Sequence, residues 1–401
     1  MNHENIISKL TLEEKIAMIH AAGLFRSGAV KRLNIPSLVM SDGPSGVRQE
    51  FENDSWTPID DTTDFVSWLL SNTCLCTTWN PNLARKFGEV LGDEARGRGK
   101  DVILAPGINI KRTPLCGRNF EYMSEDPHLT GRMAAPLVQG IQSQDVAACV
   151  KHFALNNQEC DRLSVDTKVD DKTLFELYLP AFYDALMEGG SYSVMGAYNK
   201  YDGEFCCENA TLLKKILRDL WHYDGVTISD WGGVHNTEKT ALNGVDMEMS
   251  VTPDFDDYKL ANPLLEKVKS GKIDESVIDK RIERILTMME RIKLGDKTRN
   301  KGCTNTKDHQ QTIQQIAEEG IVLLKNDTAH LPLSKETKKI LVLGDNAKRT
   351  HAAGGGSAEI KALYDISPLL GMRMVLGGDA LGIQDRRRGT AARAFCDRTR
   401  R

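Results

Sequence analysis

The stretch Val226-Thr-Ile-Ser-Asp230-Trp-Gly-Gly233 ends a short β-branched run in a carboxylate, an indole and two glycines. A carboxylate delivered that way suits a nucleophile for the anomeric carbon of a sugar, and Trp231 offers an apolar wall to a ring face. The competing reading of Asp230 is a helix N-cap. Asp42, in Ser41-Asp42-Gly-Pro-Ser-Gly46, is able to accept hydrogen bonds from two neighbouring hydroxyls, or simply to form an Asx-turn. Lys151-His152 follows the apolar run Val146–Val150, and neither side chain belongs unpaired in an apolar wall. Arg118 lies in the polar loop Leu115–Pro127 with Glu121, Glu125 and Asp126. Its planar fork fits vicinal hydroxyls or a catalytic carboxylate, whereas Glu125 and Asp126 read as members of a loop-internal ion network. Arg162 is a second candidate clamp. Tyr198, past a strand end, is placed to hydrogen-bond the nucleophile, and Met195 to line a pocket, although both residue types also fill plain cores. Carboxylates, cations and aromatics gathered on one rim describe a sugar-cleaving pocket.

A rim requires strands that end on it. Strand-like runs recur near 37–41, 73–79, 102–106, 146–152, 193–198, 225–230 and 244–249, with helix-period segments between most of them. Thr11-Leu-Glu-Glu14 reads as a capping box opening a helix over 13–20. Leu83, Phe87, Val90, Leu91 and Ala95 form one apolar stripe, and Leu174–Met187, Leu212–Leu220 and Val277–Ile292 behave alike. This alternation implies a parallel sheet and an α/β fold, with a (β/α)8-type (TIM-like) barrel over residues 1–294 favoured over an open doubly wound sheet. No Gly-x-Gly-x-x-Gly follows the first strand, which argues against a dinucleotide fold.

Residues 295–311 are polar, Gly-containing and aperiodic, and read as a linker. A second α/β unit is expected over 312–380, with a helix near 309–319 and strand-like runs at Ile321–Leu324 and Lys339–Asp345. About 60 residues are too few to bury the face of a five- or six-stranded sheet, so this sandwich-like domain is expected to be incomplete. The run Ala352-Ala-Gly-Gly-Gly-Ser-Ala358 is a turn whose backbone N–H groups are able to approach a ligand. Periodicity stops near Leu381, and the Arg-rich stretch 381–401 reads as a scar or as a basic tail.

The chain of 401 residues carries a formal net charge of −4, which gives no reason to expect nucleic acid or an anionic membrane as partner. No apolar run approaches the roughly 18–20 residues needed to span a bilayer. The N-terminus lacks the basic start and apolar core of a secretion signal, so a cytoplasmic location is expected. The nine cysteines show no CxxC pairing and are expected to be reduced and structural. No metal ligand set stands out, because His128, His222, His235 and His309 are scattered.

Four ordered motifs carry a resemblance to a known family: Ser-Asp42-Gly-Pro-x-Gly-Val-Arg48, Gly-Arg118-Asn-Phe-Glu-Tyr-Met-Ser-Glu-Asp-Pro127, Val-Lys151-His152-Phe-Ala-Leu-Asn-Asn-Gln-Glu159 and Val-x-Ile-Ser-Asp230-Trp-Gly-Gly. Together they resemble glycoside hydrolase family 3, the exo-acting β-glucosidases and β-xylosidases. The resemblance implies a retaining double displacement on terminal β-glycosides, with Asp230 as nucleophile and no cofactor or metal. It implies that Asp42, Arg118, Lys151, His152 and Arg162 bind the nonreducing sugar, and that Tyr198 and Trp231 shape the subsite. In glucosidases of the family the acid/base glutamate comes from the following sandwich domain, and no residue here is assigned that role. General acid/base assistance contributes about 10²–10⁴ in rate, so impaired turnover is expected of the chain as it stands. The stretch Ala154–Arg162 lacks the His-Asp pair of the N-acetylglucosaminide-cleaving branch. Two other readings remain: a noncatalytic sugar-binding remnant, and a barrel lyase using Lys151 as a Schiff base, which the neighbouring His152 and carboxylates disfavour.

Overall fold

A computed structural model describes residues 3–59, 62–334, 336–337, 339–352 and 354–377; the Arg-rich stretch 381–401 lies outside them. The core is a ring of extended segments. Its strands are β1 (Ala21–Gly23), β2 (Arg26–Ser27), β3 (Met40–Asp42), β4 (Val102–Leu104), β5 (Ala147–Phe153), β7 (Ser193–Gly196) and β10 (Val226–Ser229). Between them, β6 (Asp166–Thr167), β8 (Lys200–Tyr201) and β9 (Glu204–Phe205) form a separate small sheet outside the ring. β3, β4, β5, β7 and β10 pair in parallel in that order. Beyond β10, Met247 bridges Ile228 in parallel and Glu248 bridges His20, which leads into β1. β2 turns back antiparallel to β1 and bridges Val39 next to β3, closing the circle with one inverted stave. This is an α/β fold of the (β/α)8 barrel type.

β3, β4, β5 and β10 are buried along their whole length, as strands covered on both faces must be. Around them lie helices whose starts the sequence marks. Thr11 and Glu14 form the reciprocal capping box of helix Leu12–Met18. Asn80 and Asp126 cap helices Pro81–Gly97 and Pro127–Gln142, each with proline at the first position. These two helices cross in close contact because glycines face each other. A Cβ on Gly88 would stand 2.1 Å from the Leu137 carbonyl oxygen, and one on Gly140 2.1 Å from that of Arg85.

Three expectations need correction. The run 73–79 is not a strand: Ser71 caps a helix, Asn72–Thr77, that buries Asn72, Leu75 and Cys76 at helical spacing. Its short Thr/Cys composition looks β-prone, but the cap and the i, i+3, i+4 burial decide for helix. Residues 295–306 are not a free tether. Arg299 binds Asp101 at 2.7 Å and donates to the Asp145 carbonyl at 2.8 Å, holding the segment on the barrel. One compact unit continues through helix Lys307–Gly320 to Val322, and residues 354–363 belong to it as well. Finally, the runs Ile321–Leu324 and 339–345 pair with no strand among the described residues. The second unit, 323–352 with 364–377, contains helix Pro368–Leu376 and one short 3₁₀ turn, Asp345–Ala347, among its described residues. An unpaired strand without a partner face is only marginally stable, and that is the condition here.

Candidate active site

The C-terminal ends of the ring strands open into a cleft of about 490 Å³. Asp42, Arg118, Lys151, His152, Arg162, Met195, Tyr198, Asp230 and Trp231 all line it, so the nine residues read from the sequence as nucleophile, sugar ligands or pocket walls meet around one cavity.

Asp42 and Asp230 leave the ends of β3 and β10 and are equally buried, yet their surroundings differ. Asp42 is committed. Lys151 Nζ stands 3.1 Å from its Oδ1, and Arg48 donates to Oδ2 at 3.1 Å. Lys151 is itself fully buried and also faces Glu121 at 3.7 Å, so one cation is shared by two carboxylates. Asp230 is not committed. Its Oδ1 accepts the Trp231 backbone N–H at 2.8 Å, while its buried Oδ2 has no hydrogen-bond partner. Burial raises its carboxyl from 3.8 to about 6, opposed by the Arg118 and Lys151 cations. A carboxylate with a free, poorly solvated oxygen facing a cavity has the property a nucleophile requires.

His152 Nε2 lies 3.9 Å from Asp230 Oδ2. Burial, with Arg118 and Lys151 nearby, holds the imidazole well below its ordinary range, so this ring is neutral and the contact is no ion pair. Tyr122 Oη meets its Nδ1 at 3.1 Å, and Asn109 clamps its backbone on both sides, accepting from the N–H at 2.7 Å and donating to the C=O at 2.9 Å. Arg118 pairs with the fully buried Glu121 and donates to Tyr198 Oη at 3.0 Å. Tyr198 in turn donates to Glu159, which accepts from Arg162 at 3.1 Å. Arg162 is the half-exposed outer member of the chain, stacked 5.2 Å from the Tyr198 ring. Asp126, expected in a loop-internal ion network, instead accepts the backbone N–H groups of His128 and Leu129 at its Oδ1 as the cap of helix Pro127–Gln142, and it does not line the cleft.

Several lining residues escaped the sequence reading. Trp231 donates its indole N–H to the Leu24 carbonyl at 2.9 Å and packs against Phe25, ring centroids 5.2 Å apart. Phe25 meets Trp56 edge-on, and the three rings form one aromatic wall. Arg48 lies beneath it, 4.5 Å from the Phe51 ring. Arg48 stands in the same motif as Asp42, a signal that was available; a lone Phe25 or Trp56 carries none. Residues 354–357 line the cleft too, with Ser357 Oγ 3.4 Å from Glu121 Oε2. Away from the cleft, the structure also gathers Asp93, Cys303 and His309, a group invisible to spacing along the sequence.

The sequence matches the glycosyl hydrolase family 3 N terminal domain over residues 5–288 and the family's C-terminal domain over residues 321–395, a match that runs past position 380. It is 43% identical over 389 residues to β-glucosidase BoGH3A of Bacteroides ovatus, covering 93% of this chain and 52% of the relative. It is 39% identical over 358 residues to thermostable β-glucosidase B of Acetivibrio thermocellus, covering 89% and 46%. Among solved structures, β-glucosidase 3B from Thermotoga neapolitana in complex with glucose superposes with a TM-score of 0.86 at 35% identity, covering 100% of this chain and 56% of that one. The chain thus spans about half the length of the relatives it matches. Motifs, barrel and these likenesses agree: the chain belongs to glycosyl hydrolase family 3.

Proposed function

We propose that this chain carries the nucleophile half of an exo-acting, retaining β-glycosidase that releases terminal nonreducing β-D-glucosyl residues. Asp230 attacks the anomeric carbon and forms a glycosyl ester. Asp42, Lys151, His152, Arg118 and Arg162 hold the sugar hydroxyls, while Trp231, Tyr198 and Met195 shape the pocket. The observation that carries the reading is the contrast between the two strand-end aspartates, one fully paired and one with a buried, unpartnered oxygen. The likeness to β-glucosidases supports the substrate class. No acid/base is assigned within the cleft. Glu121 is taken up by Arg118 and Lys151, and Glu159 by Arg162 and Tyr198.

An aryl β-glucoside with a good leaving group needs little protonation and isolates the Asp230 step. A 2-deoxy-2-fluoro glucoside with such a leaving group should label the peptide that contains Asp230, as read by mass spectrometry. Labelling of another residue, or unchanged aryl glucoside hydrolysis in Asp230→Asn, would refute the assignment.

A further inference from the structure

On the outer face of the barrel, the C-terminal half of helix Pro81–Gly97 meets the segment leading into helix Lys307–Gly320. Asp93 Oδ2 lies 2.8 Å from Cys303 Sγ and 3.1 Å from His309 Nε2, and the three donor atoms fall within 4.8 Å of one another. The arrangement is built. Gly302 adopts φ +69°, and a Cβ there would stand 2.2 Å from Gly97 N; a Cβ on Gly97 would meet the Cys303 backbone at 3.0 Å. Glycine at 302 is required for this approach, and the small residue at 97 eases it.

The supporting residues point the same way. Glu94 is fully buried and accepts the backbone N–H groups of Ser67 at 2.9 Å and Asn305 at 3.0 Å. Its remaining capacity takes His309 Nδ1–H at 3.0 Å. That contact turns the ring so that Nε2 faces Asp93 and Cys303, the arrangement in which a carboxylate orients a metal-bound imidazole. Asn300 approaches the other oxygen of Asp93 at 3.5 Å, leaving Oδ2 for the cluster.

We infer that Asp93, Cys303 and His309 form a binding site for a borderline-soft divalent cation, zinc first among them, with water as fourth ligand. The mixed oxygen, sulfur and nitrogen set fits zinc, whereas magnesium and calcium prefer oxygen alone. Zinc bond lengths of about 2.0–2.3 Å put tetrahedral ligand atoms roughly 3.3–3.7 Å apart, a small opening of the two spacings to Asp93 and within the 4.8 Å span of the group. Cys303 is exposed and able to move by that much. Binding forms Zn–S, Zn–N and Zn–O bonds, and the thiol proton and any proton on Nε2 pass to solvent. The ion would clip residues 302–309 to the barrel helix, far in function from sugar cleavage. Without it, His309 is simply held between two carboxylates, with Cys303 a bystander.

Cys303 therefore separates the two outcomes. The full chain, stripped with a chelator, is titrated with Co²⁺ and then with Zn²⁺ against a chromogenic chelator. Stoichiometric binding is expected, with a thiolate-to-cobalt charge-transfer band in the near ultraviolet and a Tm that rises with Zn²⁺. Cys303→Ser, an exposed and fold-neutral change, should abolish the band and weaken Zn²⁺ at least tenfold, while Cys160→Ser changes neither. Absence of the band, or equal Zn²⁺ affinity in wild type and Cys303→Ser, would overturn the site.

Discussion

The barrel and the unit formed by 323–352 and 364–377 contain similar apolar runs with opposite fates. Leu38, Met40, Val102, Ile103 and Leu104 have no exposed surface, whereas Leu324 and Leu343 are 91% and 65% exposed. The chemistry of the side chains is the same. What differs is the presence of a neighbour to bury against: β3, β4, β5, β7 and β10 are paired side by side and buried on both faces, and among the described residues the later runs pair with no strand. A hydrophobic pattern is a proposal for a strand, and only a complementary face turns it into one.

That contrast is open to attack by mutation. The largest effect belongs to the strand end where chemistry is proposed: Asp230→Asn should lower aryl β-glucoside turnover by about 10³-fold or more, since nucleophile loss removes the covalent route. Next is Lys151→Ala. It leaves Asp42 and Glu121 buried without their shared cation and should cost about 3–5 kcal/mol in urea unfolding. Gly88→Ala drives a methyl group into the neighbouring helix backbone and should cost about 2–3 kcal/mol.

A pH effect of opposite sign comes from Asp230. Its carboxyl, raised from 3.8 to about 6, holds its proton more tightly when folded, so this group's contribution declines as pH rises between those values. Asp230→Asn removes the penalty and should raise stability by on the order of 3 kcal/mol at neutral pH, with little gain near pH 4. The smallest effect is expected outside the barrel. Leu324→Ser should change stability by less than about 0.5 kcal/mol, the range of surface substitutions. A cost well above 1.5 kcal/mol would mean that this run is packed, and the comparison would fail.

Much of the site was legible because charged groups at the ends of β-branched runs have few structural uses. Asp42, Lys151, His152 and Asp230 were read that way, and they converge on one cleft. Helices Leu12–Met18 and Pro81–Gly97 were legible through a capping box and an apolar stripe, whereas Pro127–Gln142 escaped the reading. The remainder was hidden for physical reasons. β1 and β2 are three and two residues long, too short to show alternation, so the inverted stave and the Phe25 it presents left no pattern. Asn72–Thr77 was misread because six residues of mixed propensity are decided by burial. The Asp93, Cys303 and His309 group is assembled from positions more than 200 apart, and no spacing rule reaches that far.

The hydrogen bond from the Trp231 indole to the Leu24 carbonyl joins the first hairpin of the ring to the loop after β10. The two residues stand 207 positions apart, so the aromatic wall exists only once the circle is joined. A chain whose ring stays open cannot hold a half-formed pocket of reduced quality, because the surface that would face the sugar has not yet come into being. Competence to bind is thereby tied to closure itself, and a sugar that prefers the closed ring would act as a latch on the final seam.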